Sequence, residues 1–225
     1  MVIFNQFKNH EGAGIPAPSS GFRRYFYILY THFFKLVKLN FLTLLFSVPV
    51  VTIPAALSAA DRVYILLLKN GNCFLWQDFI KEFREEVLRL ILPGMMFALI
   101  LFSGYFFMSL GKGNSVYFGW CALFWMLGFL LTALGLAWGR YTLVLSALQP
   151  LSVRKLMKNA VLMCVINPAQ AVLISAVIAA AVFISAILMP VFLALIVLIW
   201  VSFIQYTTCF LVYELANQYV ITEEQ

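Results

Sequence analysis

Long uncharged runs alternate with short charged ones along this chain. Four windows contain no Asp, Glu, Lys or Arg: 39–60, 90–111, 113–139 and 159–213. A helix that crosses a bilayer needs about 20 apolar residues. The first three windows each have the length for one crossing, and the fourth, with 55 residues, has the length for two. Proline opens a helix but breaks its interior. Asn167-Pro168 and Met189-Pro190 therefore divide the fourth window, and the pattern predicts spans over 92–111, 116–139, 169–188 and 191–213.

The first window carries Pro49 and Pro54, and apolar residues continue on both sides of it. Residues 33–48 and 55–69 read as two arms of about 24 Å each, short against a hydrocarbon core of about 30 Å. One crossing here gives five spans. A helical hairpin over 33–69 gives six, or five plus a re-entrant pair.

Positive charge separates these readings, because cytoplasmic loops carry the Lys/Arg excess. With five spans the better orientation leaves nine bases inside and six outside, whereas the hairpin leaves fourteen inside and only Lys112 outside. The hairpin is favoured, with both termini cytoplasmic. It places Asp61 and Arg62 midway down the second arm, where a charge costs roughly 2.5–3.5 kcal/mol. Neighbours at i and i+1 do not face each other. Either this arm is shallow and re-entrant, which the pattern slightly favours, or both charges find partners inside the bundle. Ser58-Ala59-Ala60 resembles a cleavage site, but it follows a long apolar run with 38 residues before it, unlike a signal peptide.

Between hairpin and next span, Trp76, Phe79, Ile80, Phe83, Val87 and Leu90 recur at helical spacing opposite Asp78, Lys81, Glu82, Glu85, Glu86 and Arg89. This predicts an amphipathic helix over 75–90 at the cytoplasmic surface, entered through the turn Asn70-Gly71-Asn72. A second helix is predicted over 152–166, with Ser152 as N-cap and Arg154, Lys155 and Lys158 on one side. The stretches 77–93 and 152–168 share a plan (polar start, charged helix, proline, apolar span), which hints at two halves of like design.

Composition agrees with this reading. Hydrophobic residues make up 64%, charged residues 11%, and the mean hydropathy is +0.96, against about 45–50% and about 25% in a soluble domain. The chain is an all-α, polytopic transmembrane bundle of five to six spans: 1–32 is an N-terminal cytoplasmic segment, 33–215 the transmembrane domain and 216–225 a cytoplasmic tail. The net charge of +6 belongs to membrane orientation; no nucleic-acid-binding motif is present. Cys73, Cys121, Cys164 and Cys209 form no CxxC and, with only His10 and His32 in the chain, no metal-ligand cluster.

Gly111-Lys112-Gly113-Asn114-Ser115 lacks the P-loop spacing and reads as an extracellular turn. No GxSxG or HExxH motif occurs, and no cofactor is expected. Gly128, Gly135 and Gly139, with Ala133 and Ala137, suit close helix packing. Asp61, Arg62, Gln205, Thr207 and Thr208 are the candidate intramembrane polar residues. Trp76, Phe79, Phe83, Arg84, Arg154, Lys155 and Lys158 are the candidate partner-docking residues.

Several blocks resemble one family. Lys35-Leu36-Val37-Lys38-Leu39-Asn40-Phe41-Leu42, Val48-Pro49-Val50-Val51-Thr52-Ile53-Pro54-Ala55, Asp78-Phe79 with Phe83-Arg84-Glu85, and 151–160 together look like the YesL-like family of bacterial membrane proteins. The resemblance covers about residues 22–215. The family's usual Thr-x-Gly-Pro is here Thr52-Ile53-Pro54, without the glycine. The resemblance implies a bacterial cytoplasmic-membrane protein associated with carbohydrate uptake, and brings no catalytic residues. The first functional expectation is thus a non-enzymatic accessory subunit of a carbohydrate ABC importer, whose partners are the permease subunits, their ATPase and the lipid bilayer. The alternative is a self-contained small-solute transporter or channel.

Overall fold

The computed structural model describes residues 21–111, 118–187 and 200–219, and no strand occurs among them. The helices are α1 (Gly21–Thr31), α2 (Phe33–Phe46), α3 (Ile53–Asn70), α4 (Leu75–Arg89), α5 (Ile91–Leu110), α6 (Phe118–Leu148), α7 (Val153–Ile166), α8 (Pro168–Ile187) and α9 (Val201–Tyr219). Met189-Pro190, the 111–115 turn beyond Gly111, and the first part of the 191–213 span lie outside the described residues.

Local chemistry sets these boundaries. Pro49 closes α2, and a single 3-10 turn, Val50–Thr52, leads into α3, whose first turn holds Pro54. The Thr52 hydroxyl donates to the carbonyls of Phe46 (2.7 Å) and Pro49 (2.7 Å), which fastens the turn without a glycine. Gly71 ends α3 in the left-handed region (φ 69°), and its N–H returns to the Leu67 carbonyl. A side chain is strained at that φ, so the turn falls on glycine. Pro168 opens α8, where its missing N–H costs no helical hydrogen bond.

α3 runs antiparallel to both α2 and α4, joined to each by a short turn. Phe46 near the end of α2 packs on Phe79 (5.5 Å between ring centroids) and Phe83 (4.8 Å) of α4. Pro54, at the start of α3, lies against Gly94, at the start of α5. α4 therefore returns along the length of α3. The helix expected over 75–90 is present as α4, Leu75–Arg89, and it packs along α3. Its apolar stripe faces the protein: Phe79 is fully buried and Phe83 half-buried, while Lys81, Arg84 and Glu85 stay exposed.

α5 and α6 form a second hairpin, held by small residues. A Cβ on Gly128 would stand 2.7 Å from the Gly104 carbonyl oxygen, and one on Gly135 2.7 Å from Ile100. The two backbones approach this closely because neither glycine carries a side chain. α6 has 31 residues, about 46 Å, and continues nine residues beyond the expected end at 139. The apolar pattern 141–148 keeps the helix going and carries Arg140 into its interior. There the second half of α6 wedges between α3, α7 and α9. Trp138 Nε1 donates to the Met157 carbonyl, so α7 folds back on α6 much as α4 folds back on α3.

Among the described residues, four helices are long and apolar enough to cross a membrane: Val50–Asn70, Ile91–Leu110, Trp120–Leu148 and Pro168–Ile187. The pair α1–α2, bent by 79°, raises this to five if counted as one span. They are not alike. Of the α3 window 56% is buried inside the protein, against 11–22% for the other three. α3 is the centre of the fold, with Ala56, Ala59, Val63, Tyr64 and Leu67 all buried. α5, α6 and α8 expose large apolar side chains such as Leu99, Phe102, Phe129 and Phe183, a surface compatible with a lipid environment.

Candidate functional site

Asp61 sits midway along α3 with no exposed surface. A carboxylate there needs a counter-charge and further donors. Arg140 supplies the charge from α6, in a two-pronged pair: Nη1 to Oδ2 at 3.0 Å and Nη2 to Oδ1 at 3.1 Å. Gln205 of α9 donates its amide to Asp61 Oδ1 (3.2 Å) and to the Leu57 carbonyl (2.6 Å). Both partners accept only, which fixes the orientation of the amide. Arg140 Nη2 also reaches the Gln205 carbonyl at 3.3 Å. One buried cluster thus ties together α3, α6 and α9, three elements distant in sequence.

A second polar layer lies beside it. The Tyr64 hydroxyl donates to Ser202 Oγ (2.8 Å), Ser202 Oγ donates to the Leu36 carbonyl (3.0 Å), and Asn40 Oδ1 accepts the Ser202 N–H (2.9 Å). These bonds lock α9 onto α2 and α3. The α1 contact follows from Tyr25, which stacks on Tyr206 (4.9 Å) and shares a hydrogen bond with Thr207.

Arg62 turns to the other side of α3, as its position next to Asp61 requires. It donates to the Ala147 carbonyl (2.8 Å) and lies 3.8 Å from Glu82 of α4. Burial pushes the Glu82 carboxyl up to about 7; Glu86 and Glu85 add to the rise, and Arg62 opposes it. Glu86 is also buried, bonded to Arg89 and to the Ser146 hydroxyl, and Arg89 donates to the Leu151 carbonyl. The end of α4 is thereby fastened to the α6–α7 connection.

Of the five polar residues singled out in the sequence, Asp61 and Gln205 meet directly. Arg62 joins the neighbouring α4 contact instead. Thr208 lies beside Gln205, its hydroxyl donating to the Ile204 carbonyl, and Thr207 faces Tyr25. Both charges of the Asp61-Arg62 pair find partners within the fold, the second of the two alternatives open to the sequence. Among the docking candidates, Phe79 is fully buried and Phe83 half-buried, both packed on Phe46 of α2. Trp76 (60% exposed), Arg84, Arg154, Lys155 and Lys158 remain on the surface. Ser152 takes the N-cap position of α7 with an extended backbone but makes no side-chain cap bond.

Arg140, Asn40 and Tyr64 are site residues that the sequence does not single out as polar candidates; Ser202 stands among the polar residues of the late spans and Glu86 on the charged face of the 75–90 helix. For Arg140 a signal existed: it is the only charged residue between Lys112 and Arg154.

A cavity of about 260 Å³ lies against the ion pair. Its wall is apolar, with Leu57, Phe97, Leu143, Ile178 and Ile204 prominent, and Arg140, Gln205 and Thr208 also line it. Among the described residues no group of three or more His, Cys, Asp or Glu is placed to hold a metal ion. No family model, curated protein or solved structure matches this chain.

Proposed function

We propose that this chain is a non-enzymatic integral membrane subunit whose α2–α4 unit stands on the cytoplasmic side and docks a partner. The carrying observation is the placement of α4 along α3. If α3 crossed the bilayer as half of a hairpin, Lys81, Arg84 and Glu85 of α4 would face lipid at the depth of Asp61. Each would cost roughly 2.5–3.5 kcal/mol there. Water, or a water-filled interface with a partner, removes that penalty. α3 is then a buried core helix, while α5, α6 and α8 carry the lipid-facing surface. The bases are still distributed fourteen to one, because a hairpin that crosses twice and a unit that does not cross leave the same loops inside.

The partner-facing surface is the outer edge of α4 together with the start of α7. Arg89 brings these two ends side by side, and Trp76, Lys81, Arg84, Arg154, Lys155 and Lys158 are exposed along them. An aromatic anchor amid basic side chains suits an acidic protein surface. The resemblance to the YesL-like family makes the permease and ATPase of a carbohydrate ABC importer the partner to test first. A sugar transporter in its own right is less favoured: Asp61, Arg140 and the Gln205 amide group are engaged mainly with each other, leaving few polar groups for a sugar.

The test is affinity purification from a mild detergent, followed by mass spectrometry. Importer subunits should co-purify with the wild-type chain. Recovery should fall at least severalfold in a variant carrying Lys81→Glu, Arg84→Glu, Arg154→Glu and Lys155→Glu, with the amount of inserted chain unchanged. Recovery of the chain alone would overturn the proposal.

A further inference from the structure

Residues 22–34 hold seven aromatic side chains, and all but Tyr25 are exposed. On α1, Phe22, Phe26 and Tyr30 stand at i, i+4 and i+8 on one face, with Arg23 exposed beside them; Tyr30 is 90% exposed. The opposite face holds α1 to the fold. Tyr25 and Ile28 are buried there, Tyr25 stacks on Tyr206, and the Gly21 N–H donates to Glu214 Oε1 (3.2 Å). The exposed row continues on α2 with Phe34, Lys38, Phe41 and Leu45. α1 has 11 residues, about 16 Å, half of a hydrocarbon core of about 30 Å, and the 79° bend prevents α2 from extending it as a straight span. Both ends of α1 lie against the polar turn between α3 and α4. The Arg24 guanidinium donates to the Lys69 carbonyl (3.2 Å), and His32 Nε2, just past the helix end, to the Gly71 carbonyl (2.8 Å). α1 therefore stays level with that turn, which the charge count puts on the cytoplasmic side whether or not α2 and α3 cross.

We infer that the exposed face of α1, with the corner into α2, lies in the cytoplasmic membrane interface and gathers anionic lipid headgroups. Tyrosine rings sit at headgroup level, and phenylalanines on a helix lying in that plane enter just below it. Charge selects the lipid. From residue 21 to residue 60 the chain has four bases, Arg23, Arg24, Lys35 and Lys38, and no Asp or Glu. An anionic leaflet attracts such a segment. A second copy of this face is disfavoured, because it would set base against base with no acid in the segment to offset them. The surface is distinct from the partner-docking one on α4 and α7, where acids alternate with bases.

The test places the fluorophore nitrobenzoxadiazole on Tyr30→Cys, in the full chain with Cys73, Cys121, Cys164 and Cys209 replaced by Ala, in lipid nanodiscs. The quenchers are phosphatidylglycerol and phosphatidylcholine, each spin-labelled near the top of an acyl chain and added at equal mole fraction. Both faces of a nanodisc offer the same lipid, so the result does not depend on which side α2–α4 occupies. Both lipids should quench the Tyr30→Cys probe and leave one on Glu85→Cys, exposed on α4, unquenched. Phosphatidylglycerol should quench about threefold more strongly than phosphatidylcholine. That preference should vanish at about 1 M salt, where the Debye length is about 3 Å. Arg23→Gln with Lys38→Gln, two exposed positions, should remove the preference and keep quenching by phosphatidylcholine; the salt series reads the same charge effect without a substitution. Quenching at Tyr30→Cys no greater than at Glu85→Cys would overturn the inference. So would equal quenching by the two lipids at low salt, or a blue-shifted emission that neither lipid quenches, the sign of a second copy or another protein covering the face.

Discussion

Replacing Asp61 with alanine is expected to unfold the centre of this protein. The substitution leaves Arg140 charged, buried and without its carboxylate. Removing one partner of a buried pair costs about 3–5 kcal/mol. For a chain of this size that corresponds to a fall in melting temperature on the order of 10 °C. Arg140→Ala should do the same from the other side. The double replacement Asp61→Leu with Arg140→Met should recover a large part of the loss, since well-packed apolar residues can replace a buried pair at little cost. Gln205 would lose one acceptor in that variant but keep the Leu57 carbonyl. Thermal unfolding followed by size-exclusion chromatography in detergent measures all three. A single variant as stable as wild type would mean that water reaches the pair.

Gly128→Val is expected to separate α5 from α6. The added carbon would meet the Gly104 carbonyl oxygen at 2.7 Å and the Met108 backbone N–H nitrogen at 2.8 Å. Backbone atoms cannot swing aside as a flexible side chain does, so the helices must part along several turns. Overpacking typically costs about 1–3 kcal/mol and occasionally more, and here the close approach of two backbones is what holds the pair. Phe129→Val, one residue along on the exposed face, is the control and should behave as wild type. The yield of monodisperse protein in detergent distinguishes them; equal yields would show that the α5–α6 contact tolerates a wider spacing.

How much of this fold the sequence discloses depends on the kind of signal. Uncharged windows and prolines disclose helices well, because both act locally: Pro54, Pro93 and Pro168 all stand in first turns. The amphipathic stripe of α4 discloses a helix but not what covers it. Phe79 and Phe83 would read alike whether they met lipid, a partner or, as here, Phe46 of the same chain. Charge counting cannot tell a hairpin that crosses twice from one that does not cross. Charge counting also misplaces Arg140: a span that ends at 139 puts this base in a loop, whereas the uncharged stretch 141–148 continues the helix. Asp61 midway along an apolar arm demands a cation, and a lone arginine inside the longest helical run is the natural supplier. That Gln205 would complete the cluster needs the three-dimensional meeting of α3, α6 and α9. No periodicity reports such a meeting.

The central claim is that α2, α3 and α4 stand on the cytoplasmic side and do not cross. The α2–α3 turn decides it, because that turn would lie outside the cell if the hairpin crossed. Val48, at the turn, is 76% exposed and suits a reporter cysteine in a background with Cys73, Cys121, Cys164 and Cys209 replaced by Ala. Labelling of Val48→Cys with a membrane-impermeant maleimide is the measurement, with Lys112→Cys as the outside reference and Lys81→Cys as the inside one. The account predicts that Val48→Cys follows Lys81→Cys, unlabelled in intact cells and labelled in inverted membrane vesicles. Labelling in intact cells alongside Lys112→Cys would contradict it.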